Sequence, residues 1–295
     1  MQDLSIATFW LALVATAAAV LFYWGYAFGA RVVLRRLAAA GDGGFTVATF
    51  ERLPESFGRL GTLAAWTAAA FLGASLVSRV VASGRPPYTN LWEFTVAFAG
   101  GVMLFHIIFE RWYGQRTLGS FILPVVLGLM VVSAVFFPSK VEPLVPALQA
   151  NRILALHVGM MIMAYSALSI SFGAALVYLV QGGNRQRFPR LPAARLLDEI
   201  AYRSVIVGFP LLTLGIALGA YWGNSAWGRY WGWDPKETSA LMTWLIYAGY
   251  LHMRGLRGWT GGRSAALLVV GFAAILFTYF AVNFWVSGLH SYAGV

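Results

Sequence analysis

The sequence contains no cysteine and few charged residues. Without cysteine the chain cannot form a disulfide, perform thiol chemistry or carry heme on a Cys-x-x-Cys-His motif of its own. Only 11% of its 295 residues are charged, whereas 59% are hydrophobic and the mean hydropathy is +0.70. This composition excludes a soluble domain of this length and indicates an integral membrane protein.

Long apolar runs predict an all-α membrane domain. A run of about 20 apolar residues can cross a hydrocarbon core roughly 30 Å thick as a helix. Such runs occur at 4–29, 60–82, 91–109, 118–137, 154–180, 203–222, 238–253 and 264–286. The first run lacks the basic start and cleavage site of a signal peptide, so we expect it to be retained. With no internal repeats, residues 1–295 are predicted to form a single polytopic domain, a bundle of about eight transmembrane helices.

The distribution of lysine and arginine predicts the orientation of this bundle. If the N-terminus lies outside, the inner loops hold 15 of the 21 basic residues and the outer segments hold six. That split satisfies the positive-inside rule, so both termini are predicted to face the outer, periplasmic side. The arginines beside the membrane spans account for the net charge of +10 and are expected to contact anionic lipid. We therefore predict no nucleic-acid partner, although a basic chain can suggest one.

The outer loop at 223–237, between the sixth and seventh spans, contains the stretch "WGRYWGWDPKE". Its end reads as a helix start, with Asp234 as N-cap, Pro235 at the first helical position and Glu237 completing a capping box. Aromatic residues crowd the rest of the loop and alternate with glycines; they are Trp222, Trp227, Tyr230, Trp231 and Trp233. They fit either a dense interfacial belt or a platform for a large planar apolar ligand, and spacing alone leaves both open.

The chain has only four histidines. His157 and His290 are predicted at the outer surface beside the tryptophan-rich loop, His252 lies roughly 22 Å deeper at 1.5 Å per residue, and His106 lies near the inner end of the third span. Neutral imidazole is a common ligand of heme iron, and intramembrane ionisable groups are functional candidates, although a lone histidine is often structural. The outer pair is therefore predicted to hold heme by its two axial positions. Arg229 and Lys236 are candidate contacts for its propionates or ordinary loop charges.

Four stretches carry a resemblance to a known family. The segment 227–239, the following "MTWLIYAGYLHMR" and the later "VNFWVSGLHSYAGV" closely resemble the CcsA (ResC) family of cytochrome c biogenesis proteins. That family belongs to the tryptophan-rich "WWD" group of heme-handling membrane proteins. The resemblance covers about 150 to 295, and "YTNLWEF" at 88–94 is similar to an outer segment of the same family.

The resemblance implies a function and a set of site residues. The family accepts heme b from the cytoplasmic side and presents it to the Cys-x-x-Cys-His motif of apocytochrome c, where the thioethers form, as a heme lyase component. By this resemblance His157 and His290 are the outer heme ligands, and His252 is the intramembrane ligand of a deeper site. A separate CcsB (ResB) partner supplies that site's second ligand, and the loop aromatics with Asp234 form the heme platform.

The resemblance assigns no role to His106 and implies no acid or base catalyst, because the nucleophiles arrive on the substrate. Richness in alanine and arginine favours a bacterial cytoplasmic membrane, and because plastids use the same family the thylakoid is the alternative. Two other functions remain open. One is heme export without ligation, and the other is a b-type diheme electron carrier that pairs His106 with His252 and His157 with His290. Covalent heme on a reporter apocytochrome distinguishes assembly from electron transfer.

Overall fold

The computed structural model describes residues 1–29, 47–88, 90–141, 148, 152–188, 191–281, 286 and 288–290. Within these ranges the chain is helical and contains no strand. The described ranges contain eight α-helices, which are α1 Gln2–Trp24, α2 Val47–Ser83, α3 Leu91–Tyr113, α4 Gly119–Phe136, α5 Arg152–Val180, α6 Ala194–Trp227, α7 Pro235–Arg257 and α8 Gly262–Leu276. Short π-helical turns at Gly25–Gly29 and Phe277–Ala281 extend α1 and α8, and a 3₁₀ turn at Arg116–Leu118 precedes α4.

Some predicted features lie outside the described residues. They are most of the inner loop at 31–59, the end of the eighth span at 282–285, and residues 287 and 291–295 of the C-terminal stretch that carries the resemblance. The prediction of an all-α bundle is confirmed by the remainder. Among the described helices, seven are long and apolar enough to cross a membrane.

The helix α7 corresponds to the seventh predicted span and is more polar than the others. Its 23 residues extend about 35 Å, which is long enough to cross the hydrocarbon core, but four charged residues lie near its two ends. The helix α6 begins at Ala194 rather than at the predicted residue 203. Its added first turns are amphipathic, and Asp198 there accepts two hydrogen bonds from Arg254 of α7, at 3.0 and 2.7 Å. This ion pair with Arg254 compensates the charge of Asp198 in the first turns of α6.

Local signals in the sequence set the helix ends that shape the site. Asn90 caps α3, since its side chain accepts a hydrogen bond from the Glu93 backbone N–H at 2.8 Å. Asp234 caps α7 with the predicted capping box, which the structure confirms, and Pro235 is its first residue. Gly228 ends α6 in the left-handed conformation, at φ +73°, which glycine adopts without strain.

The helices pack in two groups joined at the centre of the bundle. The helix α1 packs mainly on α2 and α4, α5 packs most extensively on α6 and also on α8, and α3 contacts α5 between the two groups. The first turn of α3, the first turns of α5 and the start of α7 converge at one end of the bundle, which we call the loop end. His290 lies at this end because it lines the pocket there. Ser5 of α1 lies toward the same end, since it is hydrogen-bonded to Ser75 in the last third of α2, the helix that leads to the start of α3. Which side of the membrane it faces stays a prediction.

Candidate functional site

A pocket opens at the loop end and brings together the two histidines that the sequence predicted as outer ligands. It encloses about 1180 Å³ of empty space, a volume that includes its open mouth. Its walls come from α3, α5, α6, the tryptophan loop, α7 and the segment after α8. The predicted site residues that line it are His157, Trp222, Trp227, Trp231, Lys236 and His290.

His157 reaches the pocket from α5 and is oriented by α6. Its Nδ1 lies 2.6 Å from the backbone oxygen of Gly215. Because a carbonyl only accepts, Nδ1 carries the proton and the lone pair of the ring lies on Nε2. One turn along α6, a Cβ added at Gly219 would lie 2.6 Å from the imidazole Cε1, so glycine is what allows this close approach. The ring is thus held in one tautomer and one orientation.

His290 is oriented in the same way by a carboxylate. Its Nδ1 lies 2.7 Å from Oδ2 of Asp234, which again places the lone pair on Nε2. Asp234 also accepts hydrogen bonds from the backbone N–H groups of Leu289, at 2.5 Å, and Lys236, at 3.0 Å. Burial acts to raise the pKa of Asp234, but the hydrogen bond and charge of His290 and these two N–H groups lower the pKa to about 2. The N-cap of α7 therefore also anchors His290.

Three tryptophans form the wall between the two imidazoles. Trp222 is only 2% exposed, and its ring lies parallel to that of His157 within 8°, with centroids 6.4 Å apart. Trp227 meets Trp222 edge to face at 4.7 Å and His290 edge to face at 4.8 Å. Trp231 lines the pocket from the loop. These indoles supply an apolar wall, and because the rings of Trp222 and Trp227 are inclined by 71° they do not form one flat surface.

The other two predicted platform aromatics face outward. Tyr230 and Trp233 are 57% and 69% exposed and do not line the pocket. Of the two candidate propionate contacts, Lys236 lines the pocket. The guanidinium of Arg229 instead lies over Gly232, where an added Cβ would be 2.6 Å from its Nε. The predicted platform thus divides into a pocket wall and an exposed set.

His252 lies on a different surface, the exposed face of α7. Exposed apolar side chains share this face at helical spacing, and they are Met242, Leu245 and Leu256. Gly249, one turn before His252, has open space where a side chain would be. Exposing an ionisable side chain to lipid is costly, which makes His252 unusual among the apolar side chains of this face.

His106 is buried at the opposite end of the bundle. It is 1% exposed, and its ring meets that of Tyr23 edge to face at 5.5 Å. Its Nε2 lies 3.4 Å from Oε2 of Glu110, a close approach that is too poorly aligned to count as a hydrogen bond. Glu110 itself accepts hydrogen bonds from the hydroxyls of Tyr23 and Thr62. This cluster does not touch the loop-end pocket.

The structure adds pocket residues that the sequence reasoning missed. Asn90 and Phe94 come from the start of α3, where the "YTNLWEF" resemblance was the available signal. Tyr165 and Tyr279 close the floor, and both lie within long apolar helices. No pattern in the sequence distinguishes these two tyrosines from others in the bundle.

Comparison with known proteins identifies the group to which this arrangement is similar. The sequence model of a family described as "Cytochrome C assembly protein" matches residues 88–290. The chain is 36% identical over 271 residues to the cytochrome c biogenesis protein CcsA of Synechococcus elongatus, covering 75% of this chain and 83% of that protein. It is likewise 36% identical over 303 residues to CcsA of Gloeobacter violaceus, covering 83% and 89%.

A third relative, CcsA of Guillardia theta, is 38% identical over 241 residues, covering 74% of this chain and 80% of that protein. Among solved structures, "Cytochrome c Heme Lyase CcmF" matches with a TM-score of 0.64 and 21% identity. The match covers 95% of this chain and 46% of that one, so the chain spans about half of its length. At this identity the structural likeness establishes the fold of the bundle.

Proposed function

This chain belongs to the cytochrome c assembly protein family, and from that membership we propose that it holds heme at the loop end of the bundle and presents it to apocytochrome c for covalent attachment. Heme is the cargo of this reaction. It is heme b while bound here, because a chain without cysteine cannot attach it through thioethers. The chain acts as the heme-lyase component of a membrane complex.

One observation carries this proposal. Two imidazoles, each fixed by a hydrogen bond at Nδ1, line the same pocket against three tryptophans. Fixing Nδ1 makes Nε2 the iron-binding nitrogen, and the carboxylate behind His290 raises its basicity. His157 and His290 therefore supply the two axial ligands, and the indoles of Trp222, Trp227 and Trp231 support the macrocycle.

The contribution of this chain to the reaction is to position the heme. Each cysteine thiol of the apocytochrome adds across a vinyl group, so that a carbon–sulfur bond forms and the thiol proton passes to the other vinyl carbon. The nucleophile and its proton both arrive with the substrate, and holding the vinyl groups in place lowers the entropic cost of the reaction. Lys236 within the pocket meets a propionate, whereas Arg229 packs on the loop.

A second heme position fits the exposed face of α7. His252 supplies one ligand there, and a partner membrane protein of the CcsB (ResB) type covers the face and supplies the other. Exposure of His252 beside Met242, Leu245 and Leu256 supports this, as does the open space at Gly249. The diheme carrier would pair His252 with His106, which is buried against Tyr23 and Glu110 instead. We place the complex in a bacterial cytoplasmic membrane, with the loop end facing the periplasm.

Histidine substitution in the complete complex tests the proposal. His157→Gly and His290→Gly should each remove heme from the outer site and abolish covalent attachment to a reporter apocytochrome, while the protein stays in the membrane. Added imidazole should restore both, because it can fill the space that glycine leaves. The control is His106→Gly, which removes a histidine of the same chain without touching the pocket.

Two results would count against this function. Full heme content and full attachment in both variants would remove the ligand assignment. Heme that binds in the wild-type complex without ever becoming covalent on the reporter would favour export without ligation.

A further inference from the structure

The aromatic residues around the tryptophan loop form two sets with different surroundings. One set, Trp222, Trp227 and Trp231, lines the pocket. The other set faces outward and consists of Tyr221, Tyr230 and Trp233, which we call the outer aromatic patch; they are 55%, 57% and 69% exposed. The two sets touch, because Trp231 and Trp233 meet edge to face with centroids 5.8 Å apart. Trp233 is therefore continuous with the wall of the pocket, and Tyr221 and Tyr230 lie beside each other with ring centroids 6.4 Å apart.

The backbone holds Trp233 in a conformation that a bulky residue rarely adopts. Its φ is +56°, in the left-handed region that favours glycine. Glu237 Oε2 accepts hydrogen bonds from the N–H groups on both sides, Gly232 at 2.8 Å and Asp234 at 3.1 Å, and the Thr238 hydroxyl lies 3.3 Å from the Trp233 carbonyl oxygen. Strain that is held in place by several contacts clusters at functional positions. Here the strained turn exposes an indole beside the pocket mouth.

We propose that the outer aromatic patch docks the Cys-x-x-Cys-His segment of apocytochrome c next to the pocket. The inference rests on the proposed function and extends it, since it assigns a surface to the second substrate. Tyrosine and tryptophan dominate binding hot spots because their rings offer large rigid area and their O–H or N–H groups bond to a peptide backbone. Cysteine thiols must come within bonding distance of the cargo, so the surface that receives them must border the pocket, as this patch does.

The competing occupant is the lipid headgroup region, where exposed tyrosine and tryptophan form aromatic belts. A belt requires only that the rings reach the interface. It does not require a left-handed tryptophan pinned by Glu237 or contact with a pocket wall. These two features favour the peptide, and the lipid becomes an outcome of the test.

The test removes the exposed rings and preserves the loop. Trp233→Gly deletes the indole at a position whose φ suits glycine, and Tyr230→Ala deletes a second ring of the patch. In the complete complex, each variant should keep the heme absorption of the wild type. The apocytochrome concentration that gives half-maximal attachment should rise about tenfold, the usual cost of losing an interface aromatic. Trp112→Ala is the matched control, since Trp112 is 71% exposed at the opposite end of the bundle.

Each outcome decides for or against the docking assignment. Unchanged concentration dependence in both variants overturns it, and so does loss of heme absorption, which would assign these rings to the cargo. The fluorescence of Trp233 among the 12 tryptophans is the difference between the wild type and Trp233→Gly. If brominated lipid quenches that difference and an added Cys-x-x-Cys-His peptide leaves the quenching unchanged, the docking assignment is also overturned and the patch is assigned to the membrane. Failure of the proposed function itself would look different, because the wild-type complex would then attach no heme at any apocytochrome concentration.

Discussion

Both ends of the bundle place a carboxylate beside a histidine, but the two pairs are built differently. At the loop end, Asp234 bonds Nδ1 of His290 at 2.7 Å, and the ring lines a pocket. At the opposite end, Glu110 lies 3.4 Å from Nε2 of His106, the nitrogen that would have to bind a metal, and that ring is buried. The first pair places an imidazole in a pocket, and the second pair buries an imidazole within the bundle.

The difference shows that a carboxylate next to a histidine is not by itself a ligand site. Glu110 of α3 accepts hydrogen bonds from Tyr23 of α1 and Thr62 of α2, so it ties three helices together. Asp234 instead holds the chain after α8 to the start of α7, through His290 and the Leu289 N–H. Glu110 therefore stabilises the packing of three helices, and Asp234 holds a residue of the pocket in place.

Removing the carboxylate of Glu110 should therefore destabilise the protein. In Glu110→Ala the buried hydroxyl of Tyr23 loses its carboxylate acceptor, and the half-buried hydroxyl of Thr62 keeps only the Gly58 carbonyl oxygen, which should cost about 2–4 kcal/mol of unfolding free energy. A fall in the thermal midpoint in detergent would measure this, and the protein that remains folded should keep its outer heme. Glu199→Ala, which breaks an exposed helix-surface pair with Arg203, should cost under about 0.5 kcal/mol. Loss of outer heme at an unchanged thermal midpoint would reverse the roles assigned to the two carboxylates.

Removing the carboxylate of Asp234 should weaken heme binding. Loss of a hydrogen-bond partner behind a metal-binding histidine typically lowers metal affinity 10- to 100-fold, and we expect this range for heme titrated into Asp234→Ala. Asp234 also caps α7, so Asp234→Ser serves as the control that can retain the cap while its side chain is too short to reach His290. Both variants should lose heme to a similar degree. Recovery of full affinity in the serine variant would mean that the cap, and not the bond to His290, supports the site.

Crowding His157 should have a smaller effect. In Gly219→Ala the new methyl group would lie 2.6 Å from the imidazole and push the ring away from its hydrogen bond with Gly215. Such overpacking costs about 1 kcal/mol, so the affinity for heme should fall about fivefold. Gly128→Ala in α4 is the control, because nothing lies within 4 Å of the added atom. Equal affinities in the two variants would show that the position of His157 does not limit binding.

Acidification should have the smallest effect on the pair of Asp234 and His290. The pKa of Asp234 is lowered to about 2, so the stability that its ionised form contributes is complete above its ordinary pKa near 4. It is lost only as the pH falls through about 2. Between pH 5 and pH 8 the contribution of this carboxylate to the unfolding free energy should therefore stay constant, so the thermal midpoints of the wild type and Asp234→Asn should differ by the same amount throughout. A difference that shrinks within that range would contradict the assignment.

The sequence predicted the scaffold well because its signals are local. Apolar runs located the helices, and the order Asp234, Pro235 and Glu237 located the start of α7. The start of α6 at Ala194 was missed, since its first turns are amphipathic and its Asp198 is paired only through tertiary contact with Arg254.

The site was less accessible from sequence because it depends on the direction of side chains. Composition marked the tryptophan loop, but it could not separate Trp231, which lines the pocket, from Trp233, which the left-handed turn directs outward. Nor could it reveal that a backbone oxygen of α6 fixes His157, since that bond joins residues 58 positions apart. The contacts that hold the two imidazoles are tertiary, so they could be identified only from the packing of the helices.

The most direct test of the central claim is an electron-microscopy map of the heme-loaded complex. We expect iron density between the Nε2 atoms of His157 and His290, with the macrocycle against Trp222 and Trp227, and no heme beside His106. Lipid density filling the pocket, or heme bound there with both imidazoles turned away from the iron, would contradict the account.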